Sequence, residues 1–344
     1  MLKLKKLKLL ALTAALIASA VQVLPAQAAA EDNGVQKEKV WFNRTQDNLK
    51  LAGEMYYPQN FDKNGKYPAI VVVHPGGGVK EQTASIYAQK LAEKGFVTLA
   101  YDAAYQGESE GTPRFLEDPS SRVEDIHAAL DYFDSRSFID GGKLGALGIC
   151  ACGGYAVHAA QTEHRIKAIA TVSAVDSGRT RREGIGGTMT GESLRKTLDE
   201  VAKQRTLEAQ GGEVRYINYV PNTLEQVPQN DPRSDMYREF YEYYRTERGA
   251  HPRSQNIYRF SNLDKMFAYT AFDHVDWISP RPLLLIAGSN AGTKYLSEDA
   301  YQMAKEPKEL YIIPGASHID LYDRSVFVNT AVDKLADFYH QYLK

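Results

Sequence analysis

The chain has 344 residues, a length that suits one large domain or two ordinary ones. Hydrophobic residues make up 43% and charged residues 24%, a globular balance that excludes a disordered or fibrous chain. Lys and Arg total 41 against 43 Asp and Glu, so no basic excess points to nucleic acid, and two cysteines are too few for a disulfide framework or a four-thiolate metal site.

The first stretch reads as separate from the fold. Lys3, Lys5, Lys6 and Lys8 precede an apolar run from Leu9 to Val23, and Leu24-Pro25-Ala26-Gln27-Ala28 follows. Basic, then apolar, then small residues is the order of a secretory signal, so residues 1–28 are expected to be removed and the mature chain to be periplasmic or secreted. The apolar run falls short of the roughly 20 residues of a spanning helix, and no later stretch reaches that length, so no membrane span is expected in the mature chain.

Val35–Arg44 and Leu49–Tyr57 alternate as an opening pair of strands. Ala69–Val73 is a continuous apolar run, as in a strand buried on both faces of a parallel sheet. It ends in His74-Pro75-Gly76-Gly77-Gly78, a turn open enough for backbone N–H groups to approach a reacting oxygen. Gly76 and Gly77 are therefore candidate oxyanion donors. The turn lacks the Lys-Ser/Thr of a phosphate-binding loop. A helix over Thr83–Lys94, a strand over Phe96–Tyr101 and a helix over Arg122–Arg136 follow.

The next strand, Lys143–Ile149, runs directly into a helix over Ala151–Thr162. A side chain at such a sharp turn needs small neighbours two positions away on each side, and Gly148 and Cys152 flank Cys150 in that way. Cys150 is thus the candidate nucleophile, at a helix N-terminus whose partial positive charge favours a thiolate, with the Ala151 N–H as a further oxyanion donor. A buried, inert cysteine is the plainer reading, but the glycine spacing argues against it. A Cys150–Cys152 bridge would close a strained ring, and a soft-metal site on both thiols and His158 would divert Cys150 from catalysis; neither is expected.

A strand over Ile166–Ser173 is followed much later by strand Leu283–Ala287, helix Ser297–Lys305, strand Glu309–Ile313 and helix Asp323–Tyr342. Strands and helices in alternation predict an α/β protein with one mostly parallel sheet covered on both faces. A loop of about 110 residues without structure is not expected inside such a domain, so residues 178–278 read as an insertion between core segments 29–177 and 279–344. Helices over Glu192–Gln210 and Pro232–Arg248 are predicted within it. Its many tyrosines suit a lid over an apolar pocket, or rings that hold the insertion to the body. His318 follows the last strand in Pro314-Gly315-Ala316-Ser317-His318, on the edge of the sheet where α/β proteins place their sites, and is the candidate general base.

Together, Gly148-Ile149-Cys150-Ala151, His74-Pro75-Gly76-Gly77-Gly78 and Gly315-Ala316-Ser317-His318 resemble the α/β-hydrolase fold, in its dienelactone-hydrolase-like branch with Cys or Ser nucleophiles. Tyr101–Ser109 also matches the segment after the fourth strand of that branch, and the resemblance covers roughly residues 36–344. It implies a hydrolase of an ester, lactone or thioester bond acting on a small acyl substrate through a Cys150 acyl-enzyme, with His318 as base and no metal or nucleotide cofactor. Acyl transfer on the same residues, or a silent binding protein on the same frame, are the alternatives. One departure stands out. The loop Gly288–Thr293 carries no carboxylate where relatives have an Asp, and Gly292 occupies the expected position. Asp176 and Asn290 are the candidate orienters of His318, while Glu298 and Asp299 default to capping a helix.

Overall fold

The computed structural model describes residues 34–344, so the expected signal at 1–28 lies outside the described residues. The opening strands β1 (Gln36–Asn43) and β2 (Lys50–Tyr57) pair antiparallel. Then come β3 (Tyr67–Val73), α1 (Thr83–Glu93), β4 (Val97–Tyr101), α2 (Pro119–Asp134), β5 (Ile139–Ile149), α3 (Ala151–Thr162) and β6 (Ile166–Val172). An inserted stretch holds α4 (Ser177–Glu183), α5 (Gly191–Ala209), β7 (Tyr216–Asn218), α6 (Ser234–Arg245), β8 (Ile257–Arg259) and α7 (Leu263–Ala268). The chain returns to the sheet with β9 (Leu283–Gly288), α8 (Lys294–Met303), β10 (Lys308–Ile313), α9 (Asp320–Asp323) and α10 (Ser325–Tyr342).

Eight strands form one sheet in the order β1-β2-β4-β3-β5-β6-β9-β10, parallel from β4 onward. Strand periodicity divides each central strand between two cores. In β3, Ala69, Val71 and Val73 face one core with α2 and α3, whereas Ile70 and Val72 face the other with α1 and α10. Each fully buried aliphatic side chain contributes about 1.5–3 kcal/mol of transfer free energy, which explains why these strands read as unbroken apolar runs. The parallel strands all end on the same edge, and the loops after β3, β5, β9 and β10 meet there. That edge is where the candidate residues gather.

Two helix boundaries differ from expectation in ways that bear on the site. Helix α8 starts at Lys294 rather than Ser297, with Thr293 at its N-cap position and no side-chain capping bond. Glu298 and Asp299 then lie inside the helix, paired with Lys294 at 3.3 Å and with Arg179 at 2.6 Å, and neither caps it. The single helix expected over Asp323–Tyr342 is two, with Arg324 extended between α9 and α10.

Candidate active site

Cys150 sits between β5 and α3 at φ 57° and ψ −125°. A non-glycine residue held in such a conformation costs about 1–3 kcal/mol, and backbone hydrogen bonds enforce it. Cys150 N donates to Val172 O at 3.0 Å, and Cys150 O accepts from Gly153 N at 2.8 Å and Val175 N at 2.9 Å. Space around the turn is limiting. A Cβ at Gly148 would lie 2.2 Å from the Cys152 carbonyl oxygen. Cys150 remains partly exposed to a cavity while Cys152 is fully buried, and the two thiols are not bridged.

The electrostatics correct one expectation. Burial pushes the Cys150 thiol above its ordinary range, outweighing the hydrogen bonds and the Arg181 charge that favour the thiolate. At neutral pH the group therefore rests as a thiol despite the helix N-terminus.

Gly76 and Ala151 line the cavity beside Cys150, and their backbone N–H groups favour its thiolate. They lie close together, since a Cβ on Gly76 would touch the Ala151 Cβ at 3.2 Å. Gly77 meets the insertion through its carbonyl. At φ 71° it turns its carbonyl toward the insertion, accepting from Ser254 Oγ at 2.8 Å and Asn256 Nδ2 at 3.0 Å. The loop is fixed from below by His74, whose Nδ1 meets Pro75 O at 2.7 Å and whose Nε2 accepts from Ala103 N at 3.1 Å. Burial pushes this imidazole down to about 3, so it is neutral.

Lys80, just beyond the loop, is buried with its ammonium 2.7–2.8 Å from Glu81, Asp102 and Glu108. Among the described residues those three carboxylates are the one group arranged to hold a metal ion. The ammonium occupies the position such an ion would take, so the cluster serves to pin the loops after β3 and β4 together.

His318 is buried, with Nδ1 2.6 Å from Thr293 Oγ1 and Nε2 3.2 Å from Tyr322 Oη. Both nitrogens are satisfied when Nδ1–H donates to Thr293 and Nε2 accepts from Tyr322. Tyr322 also lines the cavity beside Cys150, and the two groups act on each other's ionisation, so the phenol links the imidazole to the thiol. Desolvation pushes His318 down to about 3.

Neither expected orienter reaches this ring. Asp176 caps α4 through Arg179 N at 2.9 Å and accepts from Ala271 N at 3.0 Å. Asn290 is exposed and donates to Gly315 O at 3.1 Å. Thr293, one residue past Gly292, takes the place they were expected to fill. Tyr322, four residues after His318, was signalled only by that helical spacing.

The cavity above the sulfur measures about 100 Å³. Cys150, Thr293 and Tyr322 line it from the core, and Tyr219, Tyr237 and Phe240 from the insertion. A thiol beside two convergent N–H donors, with a proton acceptor one hydroxyl away, suits attack on a carbonyl carbon.

A sequence profile of the PET hydrolase-like family matches residues 42–203. The Escherichia coli strain K12 protein YcjY is 40% identical over 311 residues, covering 90% of this chain and all of that one. The crystal structure of PA2218 from Pseudomonas aeruginosa superimposes with a TM-score of 0.83 at 36% identity, covering 90% of this chain and 94% of that one. The acyltransferase drtE of Aspergillus calidoustus is 25% identical over 320 residues, 90% of this chain and 96% of that one. With this sheet order and a strained strand-to-helix turn on its carboxyl edge, the chain has the α/β-hydrolase fold and belongs to the same family as YcjY and PA2218.

Proposed function

We propose that the enzyme hydrolyses a small ester, lactone or thioester through an acyl-enzyme on Cys150. The observation that carries this reading is the strained Cys150 with the Gly76 and Ala151 N–H groups and the Tyr322–His318 pair beside it. As the sulfur attacks the carbonyl carbon, its proton passes to Tyr322 Oη while Tyr322 gives its own to His318 Nε2. The carbonyl oxygen gains the negative charge and takes the two N–H donors. Collapse of the intermediate breaks the bond to the leaving group, which carries away the proton. Water then adds to the thioester carbonyl, its proton follows the same route, and the acid leaves as the Cys150 thiol reforms.

A sulfur nucleophile suits a histidine that lacks a carboxylate. A thiol ionises far more easily than a serine hydroxyl, so less is asked of the base. Acyl transfer to an alcohol or amine is the second reading, favoured by the likeness to an acyltransferase along nearly the whole chain. The basic, apolar and small-residue order of residues 1–28 supports export to the periplasm or beyond.

Turnover of short-chain thioesters and esters by the wild type and by Cys150→Ala tests the reading. Loss of activity to background in the variant, with an unchanged thermal unfolding curve, is expected. Full activity in Cys150→Ala would remove the thiol from the mechanism.

A further inference from the structure

Helix α4 carries three arginines with different fates. Arg179 pairs with Glu183 at 2.9 Å and Asp299 at 2.6 Å. Arg182 donates to Phe267 O at 2.8 Å and to Tyr269 O. Arg181 is the exception. Its guanidinium makes one hydrogen bond, from Nε to Tyr258 Oη at 3.1 Å, and no ion pair with any described residue. Of the five N–H donors of an arginine, the rest are unclaimed by described residues. The group lies against the rings of Tyr219 at 5.6 Å and Tyr258 at 5.2 Å and lines the cavity that holds Cys150. It is the only charged side chain among the described residues of that lining.

A half-buried cation without a counter-ion is costly to hold, and its planar face and free N–H groups match a carboxylate. The cavity is small, about 100 Å³, room for a short chain only. Resting on the acyl-enzyme reading above, we propose that Arg181 binds a carboxylate at the far end of a short acyl group. The substrate class is then the half-esters or half-thioesters of short dicarboxylic acids. The Tyr219 and Tyr258 rings hold the guanidinium in place, and the remaining walls contact the methylenes between the two carbonyl carbons.

Arg181 also acts on the Cys150 thiol through its charge, so the test reads a ratio rather than a rate. Glutaryl and valeryl thioesters of N-acetylcysteamine have acyl chains of equal carbon count and differ in the terminal carboxylate. The wild type is expected to favour glutaryl in kcat/KM by about 10- to 100-fold, the range of a charge-assisted hydrogen bond. Arg181→Met should bring the ratio close to unity, and Arg181→Lys should keep part of it. An effect on the thiol alone would lower both substrates and leave the ratio intact. In parallel, free glutarate should bind Cys150→Ala, measured by calorimetry, and not Cys150→Ala with Arg181→Met. A wild-type ratio near unity, a ratio that survives Arg181→Met, or glutarate binding indifferent to Arg181 would overturn the proposal. Arg181-dependent glutarate binding without turnover of either thioester would uphold the carboxylate site and overturn the Cys150 mechanism instead.

Discussion

Thr293 Oγ1 stands 2.6 Å from His318 Nδ1, so the imidazole is oriented by a neutral oxygen and gains no negative charge to offset protonation. Burial holds the ring down to about 3 and holds the Cys150 thiol up. Both groups thus rest neutral near pH 7, which is the protonation state the proton relay needs. kcat/KM should therefore hold a plateau through neutral pH, with the acid limb set by His318 falling near pH 3. Thr293→Asp places a carboxylate beside Nδ1 and is expected to raise the His318 pKa by about 1–3 units, the usual effect of an adjacent opposite charge. The acid limb, measured from the pH dependence of kcat/KM, should move up by that amount. An unmoved limb would mean that His318 does not titrate in the rate-determining step. At this scale the meeting of Cys150, Ala151, Gly76 and His318 on one edge of the sheet was legible, because each sits in a short motif whose spacing reflects a steric demand, while their roles belong to the proposal. Thr293 and Tyr322 were not, since their roles arise from loops that meet only in the folded chain.

At the scale of elements, the outcome turned on what each side chain was free to do. Thr293 precedes α8 but makes no capping bond, because its hydroxyl is committed to His318. By contrast, Ser317 and Asp320 form a reciprocal pair, Asp320 N to Ser317 Oγ at 3.1 Å and Ser317 N to Asp320 Oδ2 at 3.0 Å. That pair closes the turn before α9, which starts at Asp320, earlier than periodicity alone suggested, and carries Tyr322 beside His318. Asp176 has the same kind of duty at α4, with a second bond to Ala271 N that ties the two ends of the insertion together. Asp176→Ala should cost about 1–3 kcal/mol and lower the thermal midpoint, as expected when a buried N–H loses its acceptor. A collapse of kcat with no change in the midpoint would instead restore Asp176 to the role of orienter. That the long interval between β6 and β9 carries its own helices was legible from its length. The two-stranded pairing of β7 with β8 was not, because three-residue strands leave no periodicity to read.

For the whole molecule, the central sheet and its two cores follow from the apolar runs, while the polar interior depends on pairings that only the fold creates. His74 and His318 are both buried and neutral, each held down to about 3 from an ordinary value of 6.5. As pH falls below 6.5 the unfolded chain takes up protons at these positions and the native state does not. Their contribution to stability is therefore complete above pH 6.5 and is lost toward pH 3, at about 1.4 kcal/mol per pH unit for each histidine. Asp125 works in the opposite sense, since burial raises it to about 6 and the native state gains a proton first as pH falls. Burial raises Asp102 and Glu239 as well, whereas hydrogen bonds and ion pairs lower Glu81, Glu108, Glu117, Glu163, Glu208 and Asp231, so these carboxylates and the two histidines together predict net acid destabilisation. Thermal unfolding between pH 7 and pH 4 should show it, and His74→Gln should flatten the slope; an equal slope in the variant would contradict the assignment. The central claim is that Cys150 carries the acyl group, and peptide-resolved mass spectrometry after brief, quenched exposure to an activated short-chain thioester tests it most directly. The account predicts an acyl mass on the peptide holding Cys150, fragmented to that residue and absent from Cys152. Turnover without a Cys150 adduct under conditions that trap acyl-enzymes, or an adduct on another side chain, would contradict it.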